Sequence, residues 1–171
     1  EYGPSGREDE IRELIKSECE KYADEVCTDA LGNLIVHKKG GGKKLMFAAH
    51  MDEIGAAVTY IEKEGYLRFS AVGGLYNKDL NMQKVRFANG TIGVIGCDED
   101  NKERKIGKMY IDIGAENKEE AEKIVSVGEM CTFAGDYSEQ GRNVISKALD
   151  NRAGCYILIE ALKQIKSEND I

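Results

Sequence analysis

The feature that most limits how this chain can fold is a change of texture along it. From Ala56 to Phe133 the residues fall into short β-like runs: Val58–Ile61, Tyr66–Val72, Lys84–Phe87, Thr91–Cys97, Met109–Ile113 and Glu129–Phe133. Turn signals such as Glu64-Gly65, Gly73-Gly74 and Asn89-Gly90 separate them. Several short strands with frequent turns predict a small barrel or sandwich. One helix interrupts the strands, with Asn117 as its cap and Ala121 and Ile124 on its apolar side. On either side of this stretch the pattern is helical. Ile11, Leu14, Ile15, Cys19 and Tyr22 recur at spacings of three and four, up to about Ala23, and Ser5-Gly6-Arg7-Glu8 fits a capping box at the start. Ala153, Tyr156, Ile157, Ile159, Leu162 and Ile165 form a second apolar series after Leu149. The predicted class is therefore α/β, with an incomplete core from residues 1–55 and 142–171 and an inserted β-rich, barrel-like domain over 56–141. One proline among 171 residues keeps the junctions short.

Composition narrows the class of function. Apolar residues make up 42% and charged residues 32%, ordinary globular usage that argues against wholesale disorder. Acidic residues number 31 against 24 basic ones, a net charge of −7, which disfavours nucleic acid as a partner because phosphate binding needs clustered Lys and Arg. No apolar run approaches the ~20 residues of a membrane span. Glu1 opens a polar stretch and not a signal peptide. The five cysteines are odd in number and include no C-x-x-C pair, so they read as reduced, small apolar residues in a reducing compartment. A soluble, cytoplasmic protein is expected.

Two short segments concentrate the chemistry. Val26 to His37 reads as a hairpin around Asp29-Ala30-Leu31-Gly32-Asn33, and His37 beyond it as a surface residue. Lys38 to Lys44 holds three consecutive glycines but lacks the order of a phosphate loop, so it reads as a solvated turn. Leu45-Met46-Phe47-Ala48-Ala49 is apolar throughout, as in a strand covered on both faces, and runs into His50-Met51-Asp52-Glu53-Ile54-Gly55. Ligands of open α/β sheets gather at the carboxyl ends of strands. In an extended segment His50 and Asp52 point to the same side. H-x-D thus places a carboxylate where it can take one ring N–H and leave the other nitrogen for a metal. By itself a histidine at a strand end is as readily structural. The second segment is Ser146-Lys147-Ala148-Leu149-Asp150-Asn151-Arg152-Ala153-Gly154. Asp150 there has two readings: an N-cap suited to the helix dipole, or a carboxylate aimed at the strand end that holds His50.

Taken together, Ala49 to Gly55 and Lys147 to Gly154 resemble the A-H-x-D-E-I-G and K-x-L-D-[DN]-R-x-G motifs of the glutamyl and deblocking, or tetrahedral, aminopeptidases. Some members of that family carry an endoglucanase or cellulase label. Tyr2-Gly3-Pro4-Ser5-Gly6 and Asp29-Ala30-Leu31-Gly32-Asn33-Leu34-Ile35 are similar to further family segments in the same order. The resemblance implies a zinc-peptidase-like core with the inserted domain as dimerisation domain. It implies two divalent ions, zinc or cobalt, with His50 a terminal ligand, Asp150 the carboxylate bridging both and Asp52 the catalytic residue that orients His50. Family members are longer; their later part supplies an adjacent Glu pair, a further Asp and a second His. Glu119-Glu120 cannot stand for that pair, because it precedes Asp150 and falls in the insertion helix.

The reading that follows is the N-terminal portion of a metal-dependent aminopeptidase, removing residues from peptides with a free amino terminus through a metal-activated water. It would be a dimer building block of a larger homo-oligomer, with no nucleic-acid or membrane partner, and inactive as this chain alone. The alternatives are a non-catalytic fragment or assembly module, or a β-glucan hydrolase, which needs two carboxylates about 5–10 Å apart and gives His50 no role.

Overall fold

The computed structural model describes residues 1–165. It divides into two compact units, one made of Glu1–Asp52 and the chain from Ala148 onward, the other of Glu53–Lys147.

In the first unit, α1 (Asp9–Cys19) buries Ile11 and Cys19 and packs on α3 (Leu149–Gln164). The capping box does not form. The helix begins at Asp9 with Glu8 as a cap that makes no side-chain hydrogen bond, and Glu8 Oε1 instead accepts the Gly6 N–H at 2.5 Å. The helix also ends before Ala23, because the Tyr22 and Ala23 N–H groups close a turn on the Cys19 carbonyl at 2.9 and 3.1 Å. Next come β1 (Glu25–Thr28) and β2 (Leu34–His37), an antiparallel hairpin pairing Glu25 with His37 and Thr28 with Leu34. Asp29 builds its turn: Oδ1 accepts the Leu31 and Asn33 N–H groups at 2.9 Å each, and Oδ2 the Asn33 side-chain amide at 2.8 Å. His37 is exposed, 3.5 Å from Glu25.

The segment Leu45–Ala49 is a correction to the sequence reading. It forms no strand; Leu45, Met46 and Phe47 are exposed, Met46 to 88%. A strand buried on both faces takes its ladder bonds from neighbours on each side. Among the described residues, no strand pairs with this segment. The apolar run records a preference for burial that nothing described here satisfies.

The second unit is a closed barrel of β3 (Gly55–Ile61), β4 (Leu67–Val72), β5 (Lys84–Phe87), β6 (Ile92–Cys97), β7 (Met109–Asp112) and β8 (Met130–Phe133), with neighbours in the order β3-β4-β7-β6-β5-β8. Every pairing is antiparallel, and β8 returns to β3 so that no strand edge is left open. Alternation along the strands sends Val85, Phe87, Ile95, Leu67, Ile111 and Cys131 into the core. Asn89-Gly90 turns β5 into β6: Gly90 takes φ 87°, and the Asn89 side chain accepts the Thr91 N–H at 2.9 Å. That positive φ is why glycine follows asparagine here. α2 (Lys118–Ile124) starts at Asn117, whose side chain accepts the Glu120 N–H at 2.9 Å, while Glu120 accepts the Glu116 N–H at 2.9 Å. Glu119 and Glu120 are therefore an exposed helix start. A hairpin of β9 (Ser138–Gln140) and β10 (Asn143–Ile145) was not legible in the sequence, since each strand is three residues long and wholly exposed.

The barrel unit is clasped at its two ends. Glu53, its first residue, is buried, and its Oε1 lies 2.8 Å from Nζ of Lys147, its last; the same ammonium reaches the Thr132 hydroxyl at 3.3 Å. Removing one partner of a buried pair leaves the other charge desolvated, so Lys147→Met should lower the unit's stability by on the order of 3 kcal/mol. Lys105→Met, which breaks an exposed pair with Glu103, should change it by less than about 1 kcal/mol. Denaturant melts of the two variants test the contrast. Burial also pushes the Cys131 thiol up to about 12. At pH 8 a thiol reagent should label the exposed Cys27 rapidly and Cys131 only after unfolding.

Candidate metal centre

His50, Asp52 and Asp150 all belong to the first unit and lie together. His50 Nδ1 is 2.9 Å from Asp52 Oδ1, and Nε2 is 3.1 Å from Asp150 Oδ1, a contact spanning 100 residues of sequence. The imidazole thus sits between two carboxylates, one on each ring nitrogen. The Asp150 side chain is 96% exposed and that of His50 55% exposed, so this face is open to solvent.

The start of α3 explains the placement. Asp150 and Asn151 have non-helical backbone angles, and the N-cap position of α3 is Ala148, with no side-chain cap hydrogen bond. The Asp150 carboxylate contacts His50. The following turn grips the His50 segment from behind: Arg152 Nε donates to the Met51 carbonyl at 3.0 Å and Cys155 Sγ to the His50 carbonyl at 3.4 Å. Close approach also needs Gly154, because a Cβ there would collide with the Asn151 side chain and come within 3.1 Å of Ala49 Cβ.

Two further groups were not recognised in the sequence. The Ser5 hydroxyl donates to Asp52 Oδ2 in a short hydrogen bond. Arg152 donates to the Glu1 carbonyl at 2.8 Å as well as to Met51, and so ties the N-terminal segment to the His50 segment. Both residues stood inside recognisable motifs, but no local spacing links positions so far apart.

The electrostatics follow from these contacts. Partial burial lowers the His50 pKa, but the hydrogen bonds and charges of Asp52 and Asp150 outweigh it and leave the imidazole above its ordinary 6.5. The Ser5 hydroxyl is the main cause that holds Asp52 below the usual carboxylate value; burial opposes it and His50 adds to it. Chemically, an imidazole nitrogen and a carboxylate oxygen 3.1 Å apart are donors at the separation two ligands of one ion adopt, since zinc bonds to N and O are about 2.0–2.2 Å. Among the described residues, no group of three His, Cys, Asp or Glu side chains is placed to hold an ion.

A family model, M42 glutamyl aminopeptidase, matches residues 32–171. The chain belongs to the M42 family. It is 53% identical over 173 residues to an unconfirmed aminopeptidase of Acetivibrio thermocellus, a match covering 99% of this chain and 52% of that protein. An aminopeptidase from the archaeon Desulfurococcus kamchatkensis superposes with a TM-score of 0.91 at 36% identity, over 100% of this chain and 50% of the other. The Pyrococcus horikoshii TET1 peptidase, which can assemble into a tetrahedron or a large octahedral shell, matches at a TM-score of 0.84 and 39% identity, over 95% and 52% respectively. The chain spans about half the length of these relatives.

In the metal-free protein the His50 pKa is raised on folding, so its stabilising contribution is complete below pH 6.5 and is lost as pH rises through the elevated value. An NMR titration of the His50 ring should give a midpoint above 6.5 that falls in Asp150→Asn. A midpoint at or below 6.5 in the unsubstituted protein would contradict the arrangement of two carboxylates.

Proposed function

We propose that this chain is the His50-bearing portion of a metal-dependent M42 aminopeptidase acting on peptides with a free amino terminus. The observation that carries the reading is the approach of His50 Nε2 and Asp150 Oδ1 to 3.1 Å across 100 residues of sequence. In this reading His50 would be a terminal ligand, Asp150 would be a carboxylate ligand shared by the ions, and Asp52 accepts the hydrogen bond of the His50 Nδ1–H, which orients the ring and raises its donor strength. Divalent metal held there would supply Lewis-acid polarisation of the scissile carbonyl and acidification of a bound water. Zinc and cobalt both suit nitrogen and oxygen donors. Asp150 lies open to solvent, while Arg152 and Cys155 hydrogen-bond to the Met51 and His50 carbonyls.

Self-association of the barrel unit belongs to the same proposal, and the exposed apolar side chains Tyr60, Met82, Ile92 and Val127 support it. So does a cytoplasmic location, which free cysteines favour; no described helix is long and apolar enough to cross a membrane. A β-glucan hydrolase would use carboxylates alone and leave the placement of His50 without a purpose.

The 171-residue chain should bind zinc or cobalt weakly, lose that binding on His50→Ala, and show no turnover of an amino-acid arylamide. Grafted in place of the matching half of the Desulfurococcus kamchatkensis aminopeptidase, it should support arylamide hydrolysis that His50→Ala or Asp150→Ala abolishes. Arylamide turnover indifferent to both substitutions, or hydrolysis of a soluble β-glucan, would contradict the reading.

A further inference from the structure

Ser5 enters the cluster from outside the two motifs that carry the other residues. We propose that Ser5 is a positioning residue for the metal centre: its hydroxyl fixes the Asp52 carboxylate so that His50 keeps its proton on Nδ1 and turns Nε2 toward Asp150. This inference rests on the reading of His50 as a metal ligand.

The contacts divide the two oxygens of Asp52 cleanly. Oδ1 faces His50 Nδ1 at 2.9 Å, and Oδ2 accepts the Ser5 hydroxyl. The terminal torsion of an aspartate is broad and poorly held by a single partner. A second donor on the other oxygen removes that freedom. The histidine then meets an acceptor in one place, and the acceptor selects which nitrogen carries hydrogen.

Ser5 is itself held firmly. It follows a buried proline, Pro4, whose ring fixes φ and whose carbonyl accepts the Arg7 N–H at 2.8 Å. Gly3 passes so close to α1 and α3 that a Cβ there would lie 2.8 Å from Ile11 Cγ2 and 2.9 Å from an Arg152 guanidinium nitrogen. Arg152 holds the Glu1 carbonyl and the Met51 carbonyl with one guanidinium. The segment that presents Ser5 and the segment that presents Asp52 therefore share one anchor. The obvious structural role for Ser5, capping α1, is excluded because the helix starts at Asp9 with Glu8 before it.

The test measures zinc affinity of the full chain by competition with a chromophoric chelator, together with the NMR resonance of the His50 Nδ1 proton in the zinc-loaded protein. Outer partners of ligating histidines typically contribute 10–100-fold to affinity, and Ser5→Ala, acting one bond further out, should weaken binding about tenfold. The Nδ1 resonance should shift or broaden through exchange. Ser5→Cys keeps nearly the same size with a much weaker donor and should show the same loss, which serves if Ser5→Ala does not fold. Zinc binding that His50→Ala abolishes but that both Ser5 variants retain at full strength, with an unchanged Nδ1 resonance, would overturn this inference alone. Zinc binding indifferent to His50→Ala would overturn the metal-ligand reading, and this one with it.

Discussion

The polar cluster of the first unit is built on an imidazole held between two carboxylates. Asp52 and Asp150 approach His50 from positions 2 and 100 residues away, and Arg152 and Cys155 of α3 hydrogen-bond to the backbone of the same segment. Arg152 and Cys155 satisfy the carbonyls of Met51 and His50, which would otherwise compete for partners in an irregular segment. The absence of a Cβ at Gly154 lets the two segments close to contact distance. A long-range polar cluster open to solvent does little for stability by itself. Its positional definition comes from the hydrogen bonds that Arg152 and Cys155 make to the Met51 and His50 carbonyls.

The barrel unit shows the opposite economy. Its strands close on themselves, bury an apolar interior and end on the Glu53–Lys147 ion pair. Those two residues adjoin, in sequence, the segments that carry Asp52 and Asp150. The apolar run at Leu45–Phe47 and the exposed Tyr156 and Ile157 of α3 are the counterpart in the first unit: side chains chosen for burial that the described residues leave uncovered.

Much of this was legible in the residues themselves, and the exceptions share a cause. The ends of β5 and β6, the Asn89-Gly90 turn and the Asn117 cap were readable because alternation, turn chemistry and capping act over a few positions. His50 and Asp150 could be named as candidates only through motif resemblance, since the contact joining them has no local signature. Ser5 was misread because S-x-x-E is a strong local signal, yet a long-range acceptor, Asp52, won its hydroxyl and α1 began at Asp9. Leu45–Ala49 was misread for the converse reason: composition reports a preference for a covered strand, and ladder partners must be supplied by other segments. The break at Asp150 and Asn151 disguised the start of α3 as an ordinary cap.

The proposed centre requires His50 and Asp150 to ligate the same ion. A double-mutant cycle on zinc affinity tests it most directly, using His50→Ala, Asp150→Ala and the double variant in the full chain. Two ligands of one ion cannot lose their contributions independently, so the double variant should bind little more weakly than either single one. Free-energy losses that simply add would mean that the two side chains serve separate sites, and would contradict the account.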